Sequence, residues 1–104
     1  MQLTPQHQQI IQSILAALLP HRQVVVFGSR AANNPNLKPH ADVDLCVLGE
    51  PPLNLGQLGA LQHAFSESAL PFRVDICSFV DLPQSFQAVV VRDGVLIYEG
   101  DKNV

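Results

Sequence analysis

An α/β fold, with helices packed against a β-sheet, is what three features of this chain predict. Apolar residues recur at helical spacing in three places, short runs rich in β-branched residues separate them, and the two kinds of segment alternate along the sequence. At 104 residues the chain fits one small domain spanning 1–104, with a single core and no room for a second substrate-binding domain.

The first element opens at Thr4-Pro5, an N-cap followed by proline at the first helical position. Ile10, Ile11, Ile14, Leu15, Leu18 and Leu19 then share a helical face until Pro20. Gln23 to Phe27 reads as a buried strand stopped by Gly28, and Asn33-Asn34-Pro35 and Lys38-Pro39 are turn material. Asp42 to Leu48 is the second strand, ended by Gly49 and Pro51-Pro52. Asn54 caps a helix whose Leu55, Leu58, Leu61 and Phe65 keep helical spacing, and Pro71 closes it. Phe72 to Phe79 is a third strand, with Val74 and Ile76 on one face and Arg73, Asp75 and Cys77 on the other. Asp81 and Gln84 have capping-box spacing, and Phe86, Val89 and Val90 form a helical face stopping at Gly94. The valine run leaves a strand there as an alternative. Val95 to Tyr98 is the last strand. The long loop between the first two strands permits either relative direction. If they are antiparallel, Gly28-Ser29 lies beside Asp42.

Composition narrows the function classes. The charged fraction is 14%, well below the roughly 25% of an average domain, so a partner is expected to cover some apolar surface. The formal charge is −3 and the six Lys and Arg residues are scattered, which argues against direct nucleic-acid binding. Cys46 and Cys77 lie in apolar runs without the clustered spacing of a zinc site and read as buried, reduced thiols. A polar, glutamine-rich N-terminus and the shortness of every apolar stretch place the chain in the cytoplasm, with no membrane role.

Chemistry concentrates at two points. Asp42 and Asp44 leave the same face of a strand, and two carboxylates that close are best reconciled by a divalent cation; a solvated turn is the structural alternative. Asp75 interrupts an apolar strand, where a carboxylate needs a cation, either a metal or Arg73 or Arg92. If the second and third strands are neighbours, Asp42, Asp44 and Asp75 form a cluster able to hold two Mg²⁺ ions roughly 3.5–4 Å apart. Gly28 lets backbone approach an anion, Ser29 adds a hydroxyl, and Arg30 and Arg73 add charge toward phosphate, against an ordinary turn and surface ion pairs as the alternatives.

The run VVVFGSR, followed by HADVDLCV and FRVDICS and closed by GVLIYEG, resembles the minimal nucleotidyltransferase (MNT) family of the DNA polymerase β-like superfamily. The resemblance implies a mixed-sheet nucleotidyltransferase fold, with Gly28 and Ser29 at the triphosphate of ATP as substrate, beside which Arg30 is the candidate cofactor-binding cation read from the residues. It implies Asp42, Asp44 and Asp75 as catalytic metal ligands, Asp75 also activating an acceptor hydroxyl. Free-standing domains of this size resemble the antitoxin half of HEPN/MNT toxin–antitoxin pairs. The expected activity is therefore a protein adenylyltransferase that moves AMP from ATP to a tyrosine of a cognate HEPN ribonuclease toxin, in a homodimer or hetero-oligomer. A binding module that neutralises its partner by contact, with a vestigial nucleotide site, is the alternative from another class. A small-molecule nucleotidyltransferase with its pocket at a dimer interface is a third.

Overall fold

The computed structural model of the chain describes residues 1–31 and 34–101. Ala32, Asn33 and the last three residues, with part of the Asn33-Asn34-Pro35 turn and the end of the 1–104 domain, lie outside the described residues.

Helix α1 (Pro5–Leu18) starts where Thr4 Oγ1 accepts the His7 N–H, with proline at its first position, and Ile11 and Leu15 are its buried ridge. Strand β1 (Gln23–Phe27) follows, then a single 3₁₀ turn over Gly28–Arg30, and after the loop strand β2 (Val43–Val47). Helix α2 (Leu55–Ser66) begins in a complete capping box between Asn54 and Gln57 and seats Leu61 and Phe65. Leu55 does not join that face: it is 88% exposed, its turn held by the capping box instead of by burial.

Strand β3 (Val74–Ser78) is followed by a 3₁₀ turn over Phe79–Asp81, helix α3 (Gln84–Asp93) and strand β4 (Val95–Glu99). Two expectations need correcting here. The Asp81/Gln84 capping box does not form: the N-cap is Pro83 without a side-chain bond, because Asp81 is taken up in the preceding 3₁₀ turn. Phe86 is also 56% exposed, so the buried contact of α3 comes from Val90. The valine run is helical, tertiary packing of that one residue overriding β-propensity.

The sheet order is β3-β2-β1-β4. Strand β1 pairs antiparallel with both β2 and β4, whereas β2 and β3 are parallel and joined by the α2 crossover, so the sheet is mixed. One face carries the main core, in which Val24, Val26, Val43, Leu45, Val47 and Ile97 meet α1 and α2. The other holds a smaller cluster of Val25, Cys46 and Val90 with Phe27, Cys77 and Phe79 against it. By strand alternation this second, less covered face is also the one that carries Asp44 and Asp75.

Candidate active site

Antiparallel pairing of β1 with β2 sets Phe27 opposite Asp44, so the Gly28 turn lands on the strand end that carries the acidic pair. Gly28 has φ +76°, a region L side chains rarely adopt, and a Cβ built there would lie 2.5 Å from Asp44 Oδ2. Only glycine lets this turn and that carboxylate share the space. Ser29 is exposed in the same turn.

Parallel pairing of β2 with β3 sets Asp44 opposite Asp75, as expected if those strands are neighbours. Asp42 sits one residue before β2 and is exposed, while Asp44 and Asp75 are half-buried. Burial pushes the Asp44 carboxyl above the ordinary carboxylate range, and the negative charges of Asp75 and then Asp42 push it further. Asp44 therefore sits at a point of negative potential that a bound cation would relieve, and the oxygen donors of Asp42 and Asp44 suit Mg²⁺.

Asp75 has a partner already. Arg73 Nε donates to its Oδ1 at 2.9 Å, with side-chain exposures of 76% and 44%. Of the two arginines considered for this carboxylate, Arg73 is the one in place, and Arg92 pairs with Asp93. Among the described residues no group of three His, Cys, Asp or Glu side chains is drawn together closely enough to hold a metal ion, so the acidic residues approach a pair plus a tethered third carboxylate.

Arg30 departs from the expectation most. Its side chain is turned inward, 5% exposed, instead of toward a phosphate. Nε donates to Ala41 O, Nη1 to Gln2 O and Nη2 to Pro39 O, each at 2.9 Å, and Cζ lies 4.4 Å from the centre of the Phe72 ring. Burial lowers its pKa, yet a guanidinium keeps its charge, and the carbonyls and ring face supply the compensation burial requires. Arg30 thus braces the backbone just before Asp42 against the segment that enters β3. A hydrogen bond from Val43 N to Arg73 O at 2.9 Å adds to the brace.

Two features escaped sequence reading. Gln2 exchanges side-chain bonds with the Asn34 backbone at 2.7 and 3.0 Å and donates its own N–H to Arg30 O, so the N-terminus helps shape the loop. The loop also forms one wall of a pocket of about 470 Å³ that includes Ser29, Lys38 and His40. His40 is exposed, and its Nδ1 lies 3.0 Å from Pro71 O. A lysine and a histidine in the loop between Gly-Ser and Asp-x-Asp were the available signal.

Residues 9–103 match the family model described as "Polymerase beta, Nucleotidyltransferase". A Haemophilus influenzae protein named "Probable protein adenylyltransferase MntA" is 36% identical over 95 residues, covering 91% of this chain and 82% of that protein. Among solved structures, one described as a toxin–antitoxin with AMP-PNP superposes with TM-score 0.72 at 21% identity, over 92% of this chain and 76% of that one. A second, a tri-AMPylated Shewanella oneidensis HEPN toxin in complex with MNT antitoxin, gives TM-score 0.63 at 22% identity, over 88% and 72%.

Proposed function

Since the chain belongs to the polymerase beta nucleotidyltransferase family, we propose that it is a Mg²⁺-dependent protein adenylyltransferase that moves AMP from ATP to a tyrosine hydroxyl of a HEPN-type toxin partner. The observation that carries this reading is the placement of Gly28 against Asp44 and of Asp44 against Asp75. A phosphate-approaching turn and carboxylates from two further segments then share one rim. The Haemophilus relative's name and the AMPylated toxin in a structural neighbour support the choice of acceptor.

In this reading the exposed Gly28 and Ser29 offer backbone and hydroxyl donors to the triphosphate, and Asp42 and Asp44 hold the metal. When bound, Mg²⁺ supplies charge neutralisation at the phosphates. Asp75 orients the acceptor hydroxyl and takes its proton as the oxygen attacks the α-phosphorus. One P–O bond forms as the bond to the pyrophosphate oxygen breaks in line. Arg73, mostly exposed, can leave Asp75 for the phosphates, freeing the carboxylate for that role. Arg30 takes no part in contact with ATP.

Labelled ATP incubated with the chain, Mg²⁺ and the cognate HEPN protein is expected to label the partner, and Asp42→Asn or Asp44→Asn to abolish labelling. Absence of label with the correct partner and metal sinks the proposal. Neutralisation by contact keeps a specific observation in its favour, the Arg73–Asp75 pairing that leaves no closed three-ligand set among the described residues. It wins if an Asp44→Asn variant protects cells from the toxin at the same dose as the parent.

A further inference from the structure

Two thiols take no part in the chemistry above. Cys46 in β2 and Cys77 in β3 face each other across adjacent parallel strands, one pleat beyond Asp44 and Asp75 on the same sheet face. Both are free; Cys46 is fully buried, and Cys77, expected to be buried too, is only partly covered. Adjacent strands lie roughly 4.8 Å apart, within the roughly 4.4–6.8 Å Cα separation that disulfides span. Cys77 Sγ donates to Leu45 O at 3.6 Å, the carbonyl of the residue just before Cys46. Under α3, a cavity of about 370 Å³ is walled by Val25, Phe79 and Val90, which belong to the same apolar cluster as the thiols.

We propose that Cys46 and Cys77 form a redox modification site, closing to a reversible disulfide on exposure to hydrogen peroxide. The Cys77 sulfur, the accessible one, attacks a peroxide oxygen. The O–O bond breaks, one oxygen leaves as water, and Cys77 becomes a sulfenic acid. The Cys46 sulfur then displaces the hydroxyl, forming the S–S bond and releasing a second water, so each thiol surrenders its hydrogen and the peroxide is reduced. In-register strands must be drawn together to reach disulfide Cβ spacing, which makes the bond strained and readily reopened by a dithiol. Drawing β2 and β3 together also narrows the Asp44–Asp75 gap two register positions away. The resulting loss of AMP transfer rests on the nucleotidyl-transfer reading; the disulfide itself does not.

The test is a tryptic digest, without reduction, of the intact chain after brief peroxide treatment and alkylation. Cleavage after Arg30, Arg73 and Arg92 leaves Cys46 in 31–73 and Cys77 in 74–92, so only a disulfide joins the two peptides. The joined species is expected, is lost on adding dithiothreitol, and is absent from Cys46→Ala and Cys77→Ala chains shown to be folded by circular dichroism. Full alkylation after peroxide, over-oxidised Cys77 without the link, or a link found only between chains each overturns the proposal. Oxidation is further expected to slow AMP transfer about tenfold or more, with recovery on reduction and no such loss in Cys77→Ala. An unchanged rate in fully linked protein overturns the regulatory consequence. A reduced protein that transfers no AMP counts against the function, and the peptide link is read regardless.

Discussion

Asp44 is a residue whose charge the fold opposes. Its folded-state pKa is raised, by burial first and by Asp75 and Asp42 next, so ionising it costs more in the folded chain than in the unfolded one. Stability contributed through Asp44 therefore increases as pH falls through that raised pKa, the reverse of a carboxylate stabilised by a salt bridge. Asp44→Asn is expected to raise the Tm near neutral pH by a few degrees and to remove this gain on acidification, which thermal melts across acidic to neutral pH will read. Added Mg²⁺ is expected to raise the Tm of the parent and not of this variant. Gly28 fails differently. Gly28→Ala places a Cβ on Asp44 Oδ2 at a left-handed φ and is expected to cost about 1–2 kcal/mol in denaturant unfolding, with loss of AMP transfer.

At the level of elements, the loop before β2 is held by a side chain from the 3₁₀ turn, so its shape depends on Arg30 more than on its own turn residues. Arg30→Met leaves the carbonyls of Gln2, Pro39 and Ala41 without their donor, and an expected loss of about 2–4 kcal/mol should accompany weaker Mg²⁺ binding, measured by calorimetry. A phosphate ligand would instead raise the KM for ATP and leave the Tm unmoved. Arg30→Lys keeps the charge but not the planar fork and should recover only part of the stability. The α2 capping box is a contrasting case, remote from this chemistry. Asn54→Ala should cost about 1 kcal/mol in a urea melt while AMP transfer per folded molecule is unchanged.

At the scale of the whole molecule, the sheet divides its work between faces. One is packed by α1 and α2 into a core of aliphatic and aromatic side chains, and the other is left open enough for the acidic residues. Chelation of Mg²⁺ by EDTA is therefore expected to stop AMP transfer and to leave far-ultraviolet circular dichroism unchanged, because the main core is apolar throughout. The low charged fraction has its counterpart in Leu55, Phe86, Val91 and Leu96, all exposed. No helix among the described residues is long and apolar enough to cross a membrane.

By itself the sequence determined the element order, the first and second helix starts and the three segments that carry the acidic and glycine residues. Thr4-Pro5, Asn54 with Gln57, Gly28 and the β-branched runs act through their immediate neighbours, and such local signals are readable one window at a time. It missed the missing cap at Pro83 because Asp81 had a competing local fate in a 3₁₀ turn. Arg73, two residues from Asp75 on the same strand face, was already among the partners the sequence offered for that carboxylate; only the tertiary structure decided that Arg30 points inward and that Cys46 meets Cys77. Each depends on strand register or on which residues a side chain meets across the fold, and at those distances neither spacing nor propensity carries information.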